Sequence, residues 1–343
     1  MKNNIEKAYF LKLTRKILSW YDLHSRNLPW RETQKPYNIW ISEIILQQTR
    51  VEQGWNHYVN FIKRFPTVKE LHEAENDEVL LYWKGLGYYS RALNLHKASH
   101  QIIEEYNGEF PDTFAGLQNL KGVGKYTAAA IASISYGERV PAIDGNFYRV
   151  FSRILADDFD IASPRAYSYF YDLILPFVDK DRPGDFNQAV MDIGSQVCKP
   201  KNPDCPNCPV NEECLAYATN RIQELPVKSK KVKVETLDLH YYFVKYGEHF
   251  LTRQRDESFI WKKLYEFPNE IPDELKDYIV FEKTVQHKLT HKTLNITFSR
   301  VELRDNKSFE ELCASGNYII VDIEESHKKS FPKPLEKIIQ EWD

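Results

Sequence analysis

No apolar run in the sequence approaches the ~18 residues that a membrane-spanning helix needs, which sets aside an integral helical membrane protein. The opening residues, MKNNIEKAYFLKLTRKIL, carry charge in every turn, so they form neither a secretory signal nor an anchor. A cytoplasmic protein is the expectation that follows. Internal repeats and low-complexity tracts are absent, which excludes a repeat array and a disordered scaffold. A large excess of one charge is missing as well. The net charge of −3 argues against a broadly basic nucleic-acid binder and leaves only local patches for such a partner. Cysteines are few, and four of the five crowd between 198 and 214. A secreted disulfide framework scatters its thiols along a short chain, whereas four in one tight loop read as a metal or cluster site.

What is present falls into two regions. With 343 residues, 42% apolar and 28% charged, the chain has an ordinary globular make-up, and at roughly 150 residues per domain its length suggests two. From residue 1 to about 220 the apolar positions keep a helical period. In YNIWISEIILQQTRVEQGWNHYVNFIKRF, Tyr37, Ile41, Ile44, Ile45, Val51, Trp55, Tyr58, Val59 and Ile62 recur mostly at three and four. FPDTFAGLQNL starts on a proline with Asp112 or Thr113 as cap; SPRAYSYFYDLILPFV starts on Ser163 as cap with Pro164 in the first turn. RIQELPVKSKKVKVE (221–235) interrupts with a proline and a lysine cluster and reads as a linker. Beyond it the period shortens. VETLDLHYYFVKYGEHFLTRQ predicts two strands about a Tyr-Gly turn, TLNITFSRVEL and NYIIVDI predict more strands, and LEKIIQEW a terminal helix. A helical domain followed by a smaller α+β domain is expected.

Four stretches of the helical region carry chemistry. In LKGVGKYTAAAI (120–131), Gly122 and Gly124 precede a helix of small residues. Glycine opens backbone conformations closed to other residues, and a helix N-terminus reached this way presents N–H groups to a phosphate; a plain helix–helix turn uses the same residues. In VPAIDGNFYRVFSRI (140–154), Asp144 stands where an N-cap belongs, and N–H groups there favour its ionised form. Taken alone it is only a cap. Glu43 lies among Trp40, Ile41, Ile44 and Ile45. A carboxyl desolvated there has a raised pKa and serves as a general acid near neutral pH, while on an outer face it is an ordinary helix glutamate. An acid and an anion in unlike surroundings suit cleavage of a glycosidic bond. Finally, CKPKNPDCPNCPVNEEC spaces Cys198, Cys205, Cys208 and Cys214 as C-x6-C-x2-C-x5-C, with prolines 200, 203, 206 and 209 bending the loop round one centre. Four thiolates hold zinc or an iron–sulfur cluster, and a zinc ribbon favours two C-x2-C pairs where this loop has one. Cys313 reads as a core thiol.

These stretches resemble the helix-hairpin-helix DNA glycosylases of the endonuclease III-like superfamily. LKGVGKYTAAAI is similar to their hairpin, usually L-P-G-V-G, with Lys121 in place of the proline. The resemblance implies that Gly122, Val123, Gly124 and Lys125 grip the DNA backbone without reading sequence. The cysteine spacing is similar to their cluster loop, which implies a [4Fe–4S] cofactor of structural role on Cys198, Cys205, Cys208 and Cys214. Bifunctional members carry a Schiff-base lysine two residues after the second hairpin glycine; Tyr126 stands there instead. The chain therefore resembles the monofunctional branch, and within it the adenine DNA glycosylase family of the MutY type. LPWRETQKPYNIWISEIILQQTRV (28–51) carries most of the likeness. It implies that Glu43 protonates the adenine ring, that Trp30, Arg31 and Leu46 line the adenine pocket, and that Gln48 inserts into the duplex. WKGLGYYSRALNL implies a second wedge at Tyr88, AIDGN implies Asp144 as stabiliser of the sugar cation beside Asn146, and FNQAVMDIGSQVC implies Gln188 as a partner of the flipped base. Tyr126 is implied to exclude or orient water beside the aspartate.

FIWKKLYEFP (259–268) resembles the tryptophan-led strand of that family's C-terminal Nudix-like domain. No Nudix box of the form G-x5-E-x7-R-E-x2-E-E is present, so the magnesium site for pyrophosphate hydrolysis is missing and a recognition role is left. HKLTHKTL (287–294) resembles the loop that inspects 8-oxoguanine, often Phe-Ser-His; Leu289-Thr290-His291 keeps the hydroxyl and imidazole and drops the aromatic, as a plain polar hairpin also could. The resemblance implies a mainly α glycosylase fold with an iron–sulfur loop, then a smaller α+β Nudix-like domain. Its catalytic domain spans 1–225, with a six-helix subdomain at about 29–137 and a cluster subdomain made of 1–28 and 138–225. A linker spans 226–235, and an 8-oxoguanine recognition domain spans 236–343. The implied activity is monofunctional excision of adenine opposite 8-oxoguanine or guanine in double-stranded DNA, by a monomer at a bacterial-type nucleoid, with no membrane partner. A bifunctional pyrimidine glycosylase/lyase is the rival that Tyr126 opposes, and a non-catalytic cluster-bearing DNA-binding protein is the rival that Glu43 and Asp144 together oppose.

Overall fold

Helices follow one another through the first two thirds of the chain because their capping and proline signals recur at close intervals. The computed structural model describes residues 2–229, 234–257 and 259–342, with side chains described from residue 8. Residues 230–233 of the expected 226–235 linker lie outside the described residues. After α1 (Lys2–His24) come α2 (Pro36–Leu46), with proline in its first turn, and α3 (Val51–Arg64). The expected single run over 37–65 is thus two helices, broken where Gln48 takes a left-handed φ of 57°. The short α4 (Val68–Glu73) and α5 (Asn76–Tyr82) lead to α6 (Ser90–Glu105). Thr113 caps α7 (Phe114–Leu117) by accepting from Gly116 N, and α8 (Lys125–Tyr136) follows the glycine turn. Asp144 caps α9 (Gly145–Ile154). α10 (Ala166–Ile174) starts later than expected, since Ser163 accepts from Arg165 N in a preceding turn. α11 (Pro183–Asp192) runs into a π-turn, Ile193–Val197, and α12 (Leu215–Ala218) ends the helical region. No helix among the described residues is long and apolar enough to cross a membrane.

Two compact units result, residues 1–73 with 94–230 and residues 74–93 with 231–343. In the first, α2 packs on α8, whose Ala128, Ala129, Ala130 and Ala132 are fully buried and let the backbones approach. A second core joins Leu13 and Ile17 of α1 to Phe147 and Phe151 of α9, Phe170 of α10 and Phe186 and Val190 of α11. Each such side chain contributes about 1.5–3 kcal/mol by leaving water.

The second unit departs from the expected boundaries. Residues 74–93, expected inside the six-helix subdomain, pack with the C-terminal region: Asp77 accepts from Gln254 Nε2 and Tyr265 Oη, each at 2.7 Å, and Lys84 pairs with Glu336 at 2.5 Å. The sheet contains β1 (Glu235–Tyr246), β2 (His249–Gln254), β3 (Tyr265–Glu266), β4 (Ile279–Lys288), β5 (Lys292–Glu302) and β6 (Ile319–Asp322), in the order β3-β2-β1-β5-β4 with β6 on β2. β1 and β5 are parallel, while β4 and β5 are antiparallel. Alternation sends Tyr241 and Phe243 to one face, under α14 (Lys333–Trp342), and Tyr242 and Val244 to the other, with Phe309 and Leu312 of α13 (Asn306–Ser315). The tryptophan-led strand is not formed. Phe259, Trp261 and Lys263 all have positive φ (65°, 57° and 61°), so only Tyr265 and Glu266 reach the ladder. β4 was hidden in sequence because its alternation mixes polar residues on a largely exposed strand.

Candidate active site

α2 carries Glu43 into the protein interior, where only 8% of the residue is exposed. The hydroxyl of Tyr126, at the first turn of α8, favours the charged form of this carboxyl. The same hydroxyl lies 3.3 Å from Met191 Sδ on α11. Burial raises the pKa of Glu43 to about 7, and nearby Asp144 adds to the rise, while Tyr126 and Arg31 oppose it. Tyr126 is held neutral by burial and by the two adjacent carboxyls.

Asp144 reaches this place from the start of α9. One oxygen accepts from Asn146 N (2.8 Å) and Phe147 N (2.9 Å), the other from Asn146 Nδ2 (2.7 Å). Burial pushes its pKa up, and these three donors, with Arg149, work against the rise by favouring the anion. The preceding extended segment is fixed by Asn187, which accepts from Ala142 N (3.1 Å) and donates to Val140 O (2.9 Å) and Ser133 Oγ (2.8 Å). Asn146 is fixed in turn. Its Oδ1 accepts from Arg149 Nη2 at 2.7 Å, and a Cβ on Gly194 would come within 2.6 Å of its own Cβ, so only glycine fits there. Arg149 also donates to Gly194 O (2.8 Å) and Cys198 O (2.7 Å), tying the aspartate's support to the cysteine loop.

Arg31 completes the wall near Glu43. Its guanidinium is bidentate on Asp192, at 2.7 and 3.0 Å, and Arg26 Nε joins at 2.8 Å. Asp192 is fully buried, and the two guanidiniums supply the countercharge that a buried carboxylate needs. An acid that titrates near neutrality, a hydrogen-bonded carboxylate and a neutral phenol together can protonate a leaving group and stabilise a cation formed behind it.

At the hairpin, Gly122 has φ 77°, and a Cβ there would sit 2.7 Å from that of Asn94. Gly124 differs from expectation. Its φ of −84° is open to any residue, and a Cβ there would meet nothing within 4 Å. Gly124 is thus not required by the fold; it keeps the start of α8 bare. Val123 is buried, Lys121 and Lys125 are exposed, and Lys125 Nζ lies 4.3 Å from the Tyr167 ring centroid.

The four loop cysteines line one cavity with Arg153, Ile154, Ile193 and Val197, and none is in a disulfide. Arg153 Nη1 stands 3.4 Å from Cys198 Sγ and donates to Lys199 O at 2.8 Å. Burial and the neighbouring thiols push Cys208 up to about 12. Four sulfurs converging on one cavity are the donor set that a cluster or thiophilic ion deprotonates and fills, so the residues fit such a group.

Residues 41–165 match the family of the HhH-GPD superfamily base excision DNA repair protein, and 240–341 match the NUDIX domain. Over 340 residues the chain is 36% identical to the adenine DNA glycosylase of Buchnera aphidicola subsp. Schizaphis graminum (strain Sg), covering 94% of this chain and 96% of that one. The chain belongs to the adenine DNA glycosylase family. It is a DNA glycosylase, an enzyme that hydrolyses N-glycosyl bonds. It is also 42% identical over 217 residues to the human adenine DNA glycosylase, covering 61% of this chain and 39% of that one. Among solved structures, a thermostable thymine-DNA glycosylase aligns with a TM-score of 0.58 at 26% identity, over 64% of this chain and all of that one. A trapped endonuclease III–DNA covalent intermediate aligns with a TM-score of 0.53 at 20% identity over 62% and 98%, a likeness of fold.

The other expected residues of the glycosylase divide by unit. Trp30 is buried edge-on against Tyr58 (5.4 Å) and Trp55 (6.2 Å). Leu46 and Gln188 are half-buried and Gln48 is exposed. Tyr88, Thr290 and His291 belong to the second unit, where all three are exposed and the hydroxyls of Tyr88 and Thr290 touch. Sequence reading missed Asp192, Arg149 and Asn187. The signal was spacing: Asp192 is one helical turn beyond Gln188, and Arg149 is three residues beyond Asn146.

Proposed function

We propose that this glycosylase removes adenine paired with 8-oxoguanine in duplex DNA by a monofunctional mechanism. The observation that carries the mechanism is the meeting of Glu43, Tyr126 and Asp144, where burial raises the pKa of Glu43 to about 7. Backbone N–H groups at Gly122–Lys125 hold a phosphate, and Gln48 and Tyr88 help extrude the adenine, which is sterically out of reach while stacked. Trp30, Arg31, Leu46 and Gln188 surround the flipped base. Glu43 donates its proton to the base, the N-glycosyl bond breaks, and the base leaves with the bonding electrons. Asp144, oriented by Asn146, stabilises the resulting sugar cation. Water adds to the cation and its proton is lost, leaving an abasic site. Tyr126 restricts the water beside Asp144 and, being a phenol, offers no amine for a Schiff base.

Functionally, residues 1–225 are assigned to catalysis, 226–235 to the connection and 236–343 to recognition of the opposite base, with Thr290 and His291 supplying polar contacts. Cys198, Cys205, Cys208 and Cys214 would hold a [4Fe–4S] cluster, whose bonds would brace the loop.

Single-turnover cleavage tests this reading. The substrate is a duplex with adenine opposite 8-oxoguanine, run against adenine opposite thymine and thymine glycol opposite adenine, with and without alkali. Strand breaks at the mispaired adenine only after alkali are expected. Breaks at thymine glycol without alkali would overturn it.

A further inference from the structure

Away from the catalytic groups, three histidines collect between α4 and α6 of the first unit. His96, His100 and Glu104 follow at four-residue intervals on α6 and so share one face. His72, from α4, meets His100 edge to face at 4.4 Å between ring centroids, and the rings of His96 and His100 are 4.8 Å apart. His100 Nδ1 lies 3.7 Å from Glu104 Oε1. Nδ1 of His72 is buried and has no hydrogen-bond partner among the described residues. Burying an imidazole nitrogen left this way is unfavourable, and a metal bond removes that cost as well as a hydrogen bond does.

We infer that His72, His100 and Glu104 form a binding site for a divalent transition-metal ion of the zinc class. One donor atom from each already lies within 4.8 Å of the others. Bonds of about 2.0–2.2 Å in a tetrahedral site place donors roughly 3.4 Å apart. Side-chain rotation supplies that closure, because the His100 and Glu104 side chains are 40% and 65% exposed. Two imidazoles and a carboxylate, with water in the fourth position, are a donor set suited to zinc rather than to calcium or magnesium, which take oxygen. Neutral imidazole is the ligand form, so the single carboxylate is the only charge the protein brings to the ion.

The ion would clamp α4 to α6, and α6 supports the hairpin. Gln101 Oε1 accepts from Lys121 N at 2.7 Å, and Asn94 packs against Gly122. The site therefore stiffens the helix behind the proposed phosphate-binding turn without touching the catalytic carboxyls.

Cobalt(II) titration of the full chain tests the site. One saturable equivalent is expected, with the visible d–d absorption of a four-coordinate nitrogen/oxygen site, displaced by zinc. His72→Gln and His100→Gln should abolish it. Glu104→Gln, at an exposed position that leaves the fold intact, should weaken it by about tenfold or more. Thiolate-to-cobalt charge transfer as the sole signal would assign the metal to the cysteine loop and overturn the proposal. So would the absence of saturable binding, or affinity unchanged in all three variants.

Discussion

The groups proposed to break the glycosidic bond and those proposed to inspect the opposite base are held in contrasting ways. Glu43 is buried and Asp144 and Asn146 are held by hydrogen bonds, backed by Asn187, Arg149 and Asp192. Thr290 and His291 stand exposed at the β4–β5 turn, supported mainly by main-chain bonds, such as Leu289 N to Lys292 O at 2.7 Å and Glu235 N to His291 O at 3.0 Å. Chemistry on one atom needs dipoles oriented in advance, and low exposure magnifies their effect. A group that reads a macromolecule must instead remain open until the partner arrives, so its contribution depends on water as much as on protein.

The sharpest break in that contrast comes from the carboxyls. Asp144→Asn is expected to lower single-turnover base release by on the order of 10³-fold while mispair binding persists. Glu43→Gln should cost roughly 10²–10⁴-fold. Near-normal rates in either variant would remove that residue from the mechanism. With Glu43 as the proposed acid, the active form is the protonated one, and the rate should fall as pH climbs through about 7. The same shift affects stability. A carboxyl whose pKa is raised from 4.5 to about 7 on folding stabilises fully below the unfolded value and loses that contribution as pH rises through 7. Glu43→Gln should therefore gain on the wild type by about 3 kcal/mol between pH ~5 and ~8, read by denaturant unfolding.

Asp192→Ala separates support from chemistry. It leaves Arg26 and Arg31 without their shared partner, and a loss of about 3–5 kcal/mol of stability is expected in urea unfolding. A smaller, cleaner comparison lies in the hairpin. Gly122→Ala should destabilise the fold by about 1–2 kcal/mol, because φ 77° and Asn94 both oppose a Cβ. Gly124→Ala should leave unfolding unchanged and weaken DNA binding only; equal loss of stability in both would erase the distinction. The smallest effect is expected at the open loop, where Thr290→Ala should lower the preference for 8-oxoguanine over guanine by about fivefold, as one hydrogen bond allows.

Legibility followed the same contrast. The caps at Thr113 and Asp144, the glycine turn and the cysteine spacing act through neighbours in the chain, and each was visible as a short string. Glu43 was placed by its apolar flanks and by the likeness of residues 28–51, which indicate burial and a role and do not name a partner. Asp192 and Asn187 escaped because a buried polar residue looks like a solvated one until its side-chain partners, 45 or more residues away, are known, and Arg149 because its bonds to Gly194 and Cys198 reach as far. The segment 259–263 was misread as strand, since aromatic residues favour a strand wherever the backbone permits one, and here three left-handed residues forbid it.

Sequence by itself determined the two-domain architecture, the four-thiol loop, the cap that orients Asp144 and the absence of a lysine at position 126. These depend on residue type and local spacing, which the chain carries however it folds. Tertiary structure alone decided that Glu43 would titrate near 7, that Tyr126 would bridge toward it, and that Arg149 would join the aspartate's support to Cys198. Desolvation and electrostatic coupling depend on what surrounds a group in space, and those surroundings come from α2, α8, α9 and α11, which the sequence holds far apart and only packing unites.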